Sequence, residues 1–184
     1  KKNKRLLAQG NYEQAIELAV KKLQKNTSSK KKDGHITVLE KAFQKNVAKD
    51  TRRISFLEKQ GNASGAKEIY YTYQNLAYIQ DKIRPLLPIY SNTLKRDAEF
   101  TLKDYSSKIL DAKKAYIAYL YDEAGLYMQY QTRKDYRTAY NIYCELEDVQ
   151  PNYKDVSLKK ENARFYGTYF VLIDLKNSTN QIIP

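Results

Sequence analysis

At 184 residues the chain can bury one sizeable core. Its 42% hydrophobic and 29% charged residues describe a folded chain rather than a disordered one. One histidine and one cysteine exclude an internal disulfide and leave little for a zinc site, and no run approaches the roughly 18 apolar residues that cross a bilayer. The formal charge of +12 is unevenly placed. Residues 1–60 hold 16 Lys and Arg against 6 Asp and Glu, whereas residues 61–184 hold 17 against 15. Tyrosine runs the other way: Tyr12 stands alone in the first third, and the remainder of the 18 lie between Tyr70 and Tyr169. The chain thus has a basic end and a tyrosine-rich body. It opens on Lys1-Lys2-Asn3-Lys4 with neither Met nor apolar leader, as expected of a mature chain whose signal has been removed.

Residues 1–9 read as the end of a helix. Asn11 is placed to cap the next one, with Gln14 three residues on to return the bond. Tyr12, Ala15, Ile16, Ala19 and Leu23 then share one helical face. Residues 26–34, polar and free of apolar side chains, read as a mobile loop. Leu39, Phe43, Val47, Ile54 and Leu57 predict a long amphipathic helix from residue 36 to about 60, which Gly61-Asn62 breaks. A second long helix is expected over residues 63–84, antiparallel to the first. Pro85 and Pro88 bracket a non-helical connector. Helix is expected to resume near Thr93, with a break around residues 104–107, and to carry Ala112, Ala115, Tyr116, Leu120, Ala124 and Tyr130 on its packing side. Arg133-Lys134-Asp135 should turn the chain. Tyr136, Ala139, Tyr140, Tyr143 and Leu146 then predict the cleanest helix of all, stopped by Pro151. Asn152 and Asp155 are placed to cap a last helix to about Tyr166. Residues 169–176, rich in β-branched and aromatic side chains, read as a strand.

Three stretches repeat one design: residues 10–19, 61–70 and 134–143 each carry a polar turn, an alanine four residues after its Asn or Asp, and an apolar residue one helical turn later. Ala139, Tyr143 and Pro151 stand at the spacing of the alanine, aromatic and proline in the second helix of a tetratricopeptide repeat, and Tyr130 matches that repeat's first-helix tyrosine. Residues 9–16 resemble the turn and second-helix start of another repeat, and the Gly61 stretch a third. The alanines Ala15, Ala66 and Ala139 lie 51 and 73 residues apart, so the chain resembles an irregular tetratricopeptide-like array with lengthened helices. The resemblance implies an all-α fold of antiparallel helical hairpins. The helical domain would span residues 1–168, with residues 169–184 beginning a β-containing part. It extends to bacterial envelope lipoproteins that carry such repeats beside a lipid anchor. Ala15, Ala66, Ala139, Tyr143 and Pro151 would be the packing residues.

Each candidate site has a plain reading beside a sharper one. The basic set Lys21, Lys22, Lys25, Lys30, Lys31, Lys32, Arg52 and Arg53 reads first as a solvated surface. Its sharper reading is attraction to anionic lipid or an acidic partner. Nucleic acid suits it less, because Lys outnumbers Arg and aromatics to stack on bases are nearly absent there. Most tyrosines fall on packing faces; Tyr71, Tyr78 and Tyr121 lie off them and are the candidates to touch a ligand. Cys144 reads as a small core residue, His35 as non-catalytic, and Glu145, Glu147 and Asp148 as a solvated face. No motif for phosphate, metal or nucleophilic chemistry is present.

The expectation is therefore a non-enzymatic scaffold in the bacterial cell envelope. It would bind a protein, peptide or glycan, without cofactor or metal. The alternative is a cytoplasmic basic helical module on nucleic acid or an acidic partner; an enzyme acting on cell-wall glycan would need a facing carboxylate pair.

Overall fold

The computed structural model describes residues 2–25, 29–174 and 176, with backbone alone for 29–31. Those residues form seven α-helices, two 3-10 turns and one two-stranded ladder, so the all-α expectation holds. The chain divides into two compact units, Lys1–Tyr119 and Leu120–Pro184. The boundary between the units falls within a helix, and residue 168 lies inside the second unit.

In the first unit α1 (Lys2–Ala8) turns into α2 (Tyr12–Leu23) at Gly10, whose φ of +78° suits a residue without Cβ. The Gly10 N–H donates to Leu7 O and the Asn11 N–H to Leu6 O, the pair of bonds that closes a helix on a left-handed glycine. Asn11 thus ends α1 through its backbone, and the expected side-chain cap on α2 does not form. The third helix, α3 (Ser29–Gln60), has 32 residues and is about 48 Å long. It begins inside the stretch read as a loop. Residues 29–34 are helical, while 26–28 lie outside the described residues. Lysines favour a helix there, and Asp33, within the stretch read as a loop, is buried against a later part of the chain. Gly61 (φ +63°) reverses direction, Asn62 Oδ1 accepts the Ser64 N–H over a 3-10 turn, and α4 (Ala66–Ile83) packs back on α3. Leu6, Ile16, Leu39, Phe43, Ile79 and Ile83 meet in the core.

Helix does not resume at Thr93. After a 3-10 turn at Arg84–Leu86, β1 (Tyr90–Ser91) pairs antiparallel with β2 (Arg96–Asp97), and the chain stays non-helical until α5 (Ser106–Gln129). Residues 89–105 form a strap gripped by buried polar side chains of α3 and α4. Asp33 accepts from Ser91 Oγ at 2.8 Å and from the N–H and hydroxyl of Thr93. Glu40 accepts from Arg96 at 2.8 Å and from the Glu99 N–H at 3.2 Å. Gln80 accepts from the Lys103 N–H and donates to the Lys103 carbonyl. Phe43 meets Phe100 edge-on, with ring centroids 5.4 Å apart. Asp104 Oδ1 accepts the Ser106 N–H and starts α5, so the break expected at 104–107 is that helix's true beginning. Its buried stripe holds Ala112, Tyr116, Leu120 and Ala124; Ala115 lies beside the stripe and Tyr130 beyond the helix end, both exposed.

In the second unit the turn falls before Arg133, with Gln131 at φ +55°. Thr132 Oγ1 accepts the Asp135 N–H and caps α6 (Arg133–Val149), so Arg133-Lys134-Asp135 is helix and not turn. α6 packs closely on α7 (Val156–Gly167). Ala139 and Ala163 are fully buried, and a Cβ added to Gly167 would lie 3.1 Å from Arg137 Cγ and 3.4 Å from Arg137 N. Asp155 stands at the head of α7 without capping it, its carboxylate accepting from Tyr121 instead. Past Thr168 the expected strand is missing. Residues 169–174 and 176 join no ladder, and a strand without a strand partner is not stable by itself; 175 and 177–184 lie outside the described residues.

Candidate functional site

The tyrosines singled out in the sequence divide between the two units. Tyr71 and Tyr78 are about half exposed and lie seven residues apart on α4, hence on one face. Tyr71 stacks beside Tyr70 and Tyr116, and the Lys82 ammonium sits 4.3 Å from the Tyr78 ring centroid. Tyr121 belongs to the other unit and is engaged internally. Its hydroxyl donates to Asp155 at 2.8 Å and accepts from Lys159 at 2.5 Å, with the Lys154 ammonium over its ring. The Tyr121 hydrogen bond, ahead of the Lys159 charge, holds the Asp155 carboxyl below its ordinary range.

A better-formed surface lies where α7 ends against α6. Arg133 and Arg137, one helical turn apart, place their guanidinium carbons 4.4 and 5.1 Å from the Tyr169 ring centroid, within cation–π range. Arg137 Nε donates to the Gly167 carbonyl at 2.7 Å, which fixes its fork. This geometry depends on small residues. Ala163 and Gly167 let the helices approach, and the Thr168 hydroxyl donates to the Arg164 carbonyl to end the helix there. The result is an open cleft of about 510 Å³ lined by Arg137, Tyr140, Asn141, Arg164, Thr168 and Tyr169 among others. Beside it Tyr136 stacks on Tyr166 and Phe165 on Phe170, with Phe165, Tyr166, Tyr169 and Phe170 more than half exposed. Rigid rings, arginine forks and one amide offer apolar contact together with paired donors, a combination typical of polypeptide-binding surfaces. Sequence reasoning missed this cleft, because it assigned Tyr169 and Phe170 to a strand. The signal available was the Arg133/Arg137 pair one turn apart ahead of Gly167.

The basic set separates. Lys21, Lys22 and Lys25 lie at the end of α2, and Lys32 is exposed near the start of α3; the Lys30 and Lys31 side chains lie outside the described residues. Arg52 and Arg53 are about 30 Å further along α3. Arg53 is neutralised by a two-bond pairing with Glu68 at 2.5 and 2.7 Å. Burial, followed by the nearby Lys22 charge, holds the His35 imidazole below its usual pKa, and its Nδ1 faces the Asn3 amide at 2.9 Å.

Of the repeat-packing residues, Ala15, Ala66, Ala139 and Tyr143 are buried, whereas Pro151 is exposed in the turn after α6. Cys144 is half-buried. Glu147 accepts from Lys160 and Ser157, which hold its carboxyl below the usual range; it is part of an ion pair rather than a free acidic face. The connector around Pro85 and Pro88 borders a second cleft of about 520 Å³, with Leu86 and Leu87 half-buried. Among the described residues no group of three His, Cys, Asp or Glu side chains is arranged to hold a metal, and no helix is long and apolar enough to cross a membrane. Comparison with protein-family models, with curated proteins and with solved structures finds no match, so the tetratricopeptide resemblance rests on this chain's residues alone.

Proposed function

We propose that the chain is a tetratricopeptide-like binding scaffold, an irregular array of helical hairpins whose working surface is the α6–α7 cleft and whose ligand is a polypeptide segment. The observation that carries this reading is the Arg133–Arg137–Tyr169 stack bordering an open cleft that Tyr140 and Asn141 help to line. Aromatic and arginine side chains pre-set by packing lose little freedom on binding, so such a surface gains affinity per contact. The cleft lies where the repeat resemblance is fullest, at Ala139 and Tyr143. The reading places the protein in the bacterial cell envelope as part of a lipoprotein, on the likeness of residues 9–16 to repeats of that setting. No bond chemistry is assigned to the cleft.

A photo-crosslinking residue at Asn141, with a control at the exposed Lys114 of α5, tests the cleft in living cells. A discrete adduct from position 141 that disappears with Arg137→Ala or Tyr169→Ala is the expected result. Adducts equal to those of the control, or insensitive to both substitutions, would overturn the assignment.

A further inference from the structure

The outer face of α3 carries a cationic stripe that the core does not require. Lys41, Lys45, Lys49, Arg52, Phe56 and Lys59 are all exposed and recur at three-, four- and seven-residue spacings. They therefore share one side of the helix, opposite Leu39, Phe43, Asn46, Asp50, Ile54 and Leu57, which are buried. The stripe runs about 27 Å in a straight line. No acid interrupts it: Glu58 leaves the helix on another side, Glu68 is held by Arg53, and Glu13 accepts from Asn75. The one large apolar side chain within it, Phe56, is 51% exposed. Ala48 and Ser55 leave a shallow depression of about 540 Å³ beside that ring.

We infer that this face of α3 docks on an anionic lipid bilayer, lying flat with its cations among the head groups and Phe56 entering the interface. Charge complementarity names the partner's sign, and the remaining features favour a lipid surface. Four of the five cations are lysines, compact point charges without the paired fork that fits individual phosphates. A single-stranded nucleic acid would call for a groove with several stacking rings, and the stripe has one ring on a convex rod. A straight row of cations around one apolar wedge suits a planar charged interface. The inference does not depend on the α6–α7 cleft, which lies on other helices.

The test is sedimentation with vesicles of equimolar phosphatidylcholine and phosphatidylglycerol, against vesicles of phosphatidylcholine alone. Each basic residue at such a surface is worth about fivefold in partitioning, so Lys45→Gln/Arg52→Gln/Lys59→Gln should weaken binding on the order of a hundredfold. The control Lys108→Gln/Lys113→Gln/Lys114→Gln removes equal charge from α5 and should cost only a few-fold. Both proteins are first shown to melt as the parent does. The chain contains no tryptophan, so Phe56→Trp supplies a single reporter, expected to shift to the blue on anionic vesicles only. Equal losses in the two triple variants, an unshifted emission from the introduced indole, or binding of duplex DNA without binding of vesicles would each overturn the inference.

Discussion

Asp50 shows what one buried carboxyl does to the first unit. It is 7% exposed on α3 and accepts from the Asn46 amide at 2.8 Å. Burial, followed by the Glu13 charge, pushes its pKa above the ordinary value; Lys49 and the Asn46 bond act the other way, and the Tyr105 ring lies nearby. An acid with a raised folded-state pKa is destabilising while ionised. Its penalty is full at neutral pH, falls as pH drops through the raised pKa, and has vanished below the unfolded value of about 4. Asp50→Asn is thus expected to raise Tm at pH 7, with the advantage disappearing in melts near pH 4. A gain that does not depend on pH would place its origin elsewhere. Asp33 is the opposite case. The Thr93 hydroxyl above all, with Ser91 and the Thr93 N–H, holds its carboxyl below the usual range, so its contribution is present above the ordinary carboxylate pKa and lost only in stronger acid.

The element that separates sequence from structure is the strap. Residues 93–105 contain lysines, glutamate and leucines that a helix accepts, and local propensity is a weak guide there. Their conformation is decided by Asp33, Glu40 and Gln80, and no local window contains those partners. Gln80→Ala removes both bonds to Lys103 and should lower the strap's opening free energy by about 1–2 kcal/mol. Amide exchange over residues 98–105 should rise roughly tenfold, with α2 unchanged, when followed by mass spectrometry. The long helices, the break at Gly61 and the face of α6 were legible because 3.6-residue periodicity is a local signal. The start of α3 was not, because its residues 29–34 offer no apolar periodicity and the strap groups that Asp33 accepts from lie 58 and 60 residues away. The cap at Asn11 was misread because Gly10 leaves that backbone N–H to α1. For the site, the exposure of Tyr71 and Tyr78 was legible from their place off the apolar stripe. The α6–α7 cleft was not, since it depends on how Gly167 and Thr168 end a helix.

At the scale of the molecule the two units differ in kind. Residues 1–119 hold 25 Lys and Arg against 12 Asp and Glu, a net +13; residues 120–184 hold 8 against 9, a net −1. Electrostatic attraction belongs to the first unit, and the arginine–aromatic cleft to the second. The repeat resemblance makes its firmest demand in the second unit, where Ala139 is fully buried. Ala139→Leu should cost about 1–3 kcal/mol by overpacking, seen as lost exchange protection in α6 and α7 and a lower Tm. An unchanged melt would remove the repeat reading there. The strap carries one further consequence, for the order in which the chain acquires its shape. Asp33 and Glu40 are matched to groups 56 to 60 residues downstream. During synthesis both carboxylates leave the ribosome long before their partners, and they stay hydrated until α4 and the strap have emerged. The first turns of α3 therefore settle late, and the ribosome's direction, as much as the final contacts, sets the sequence of events.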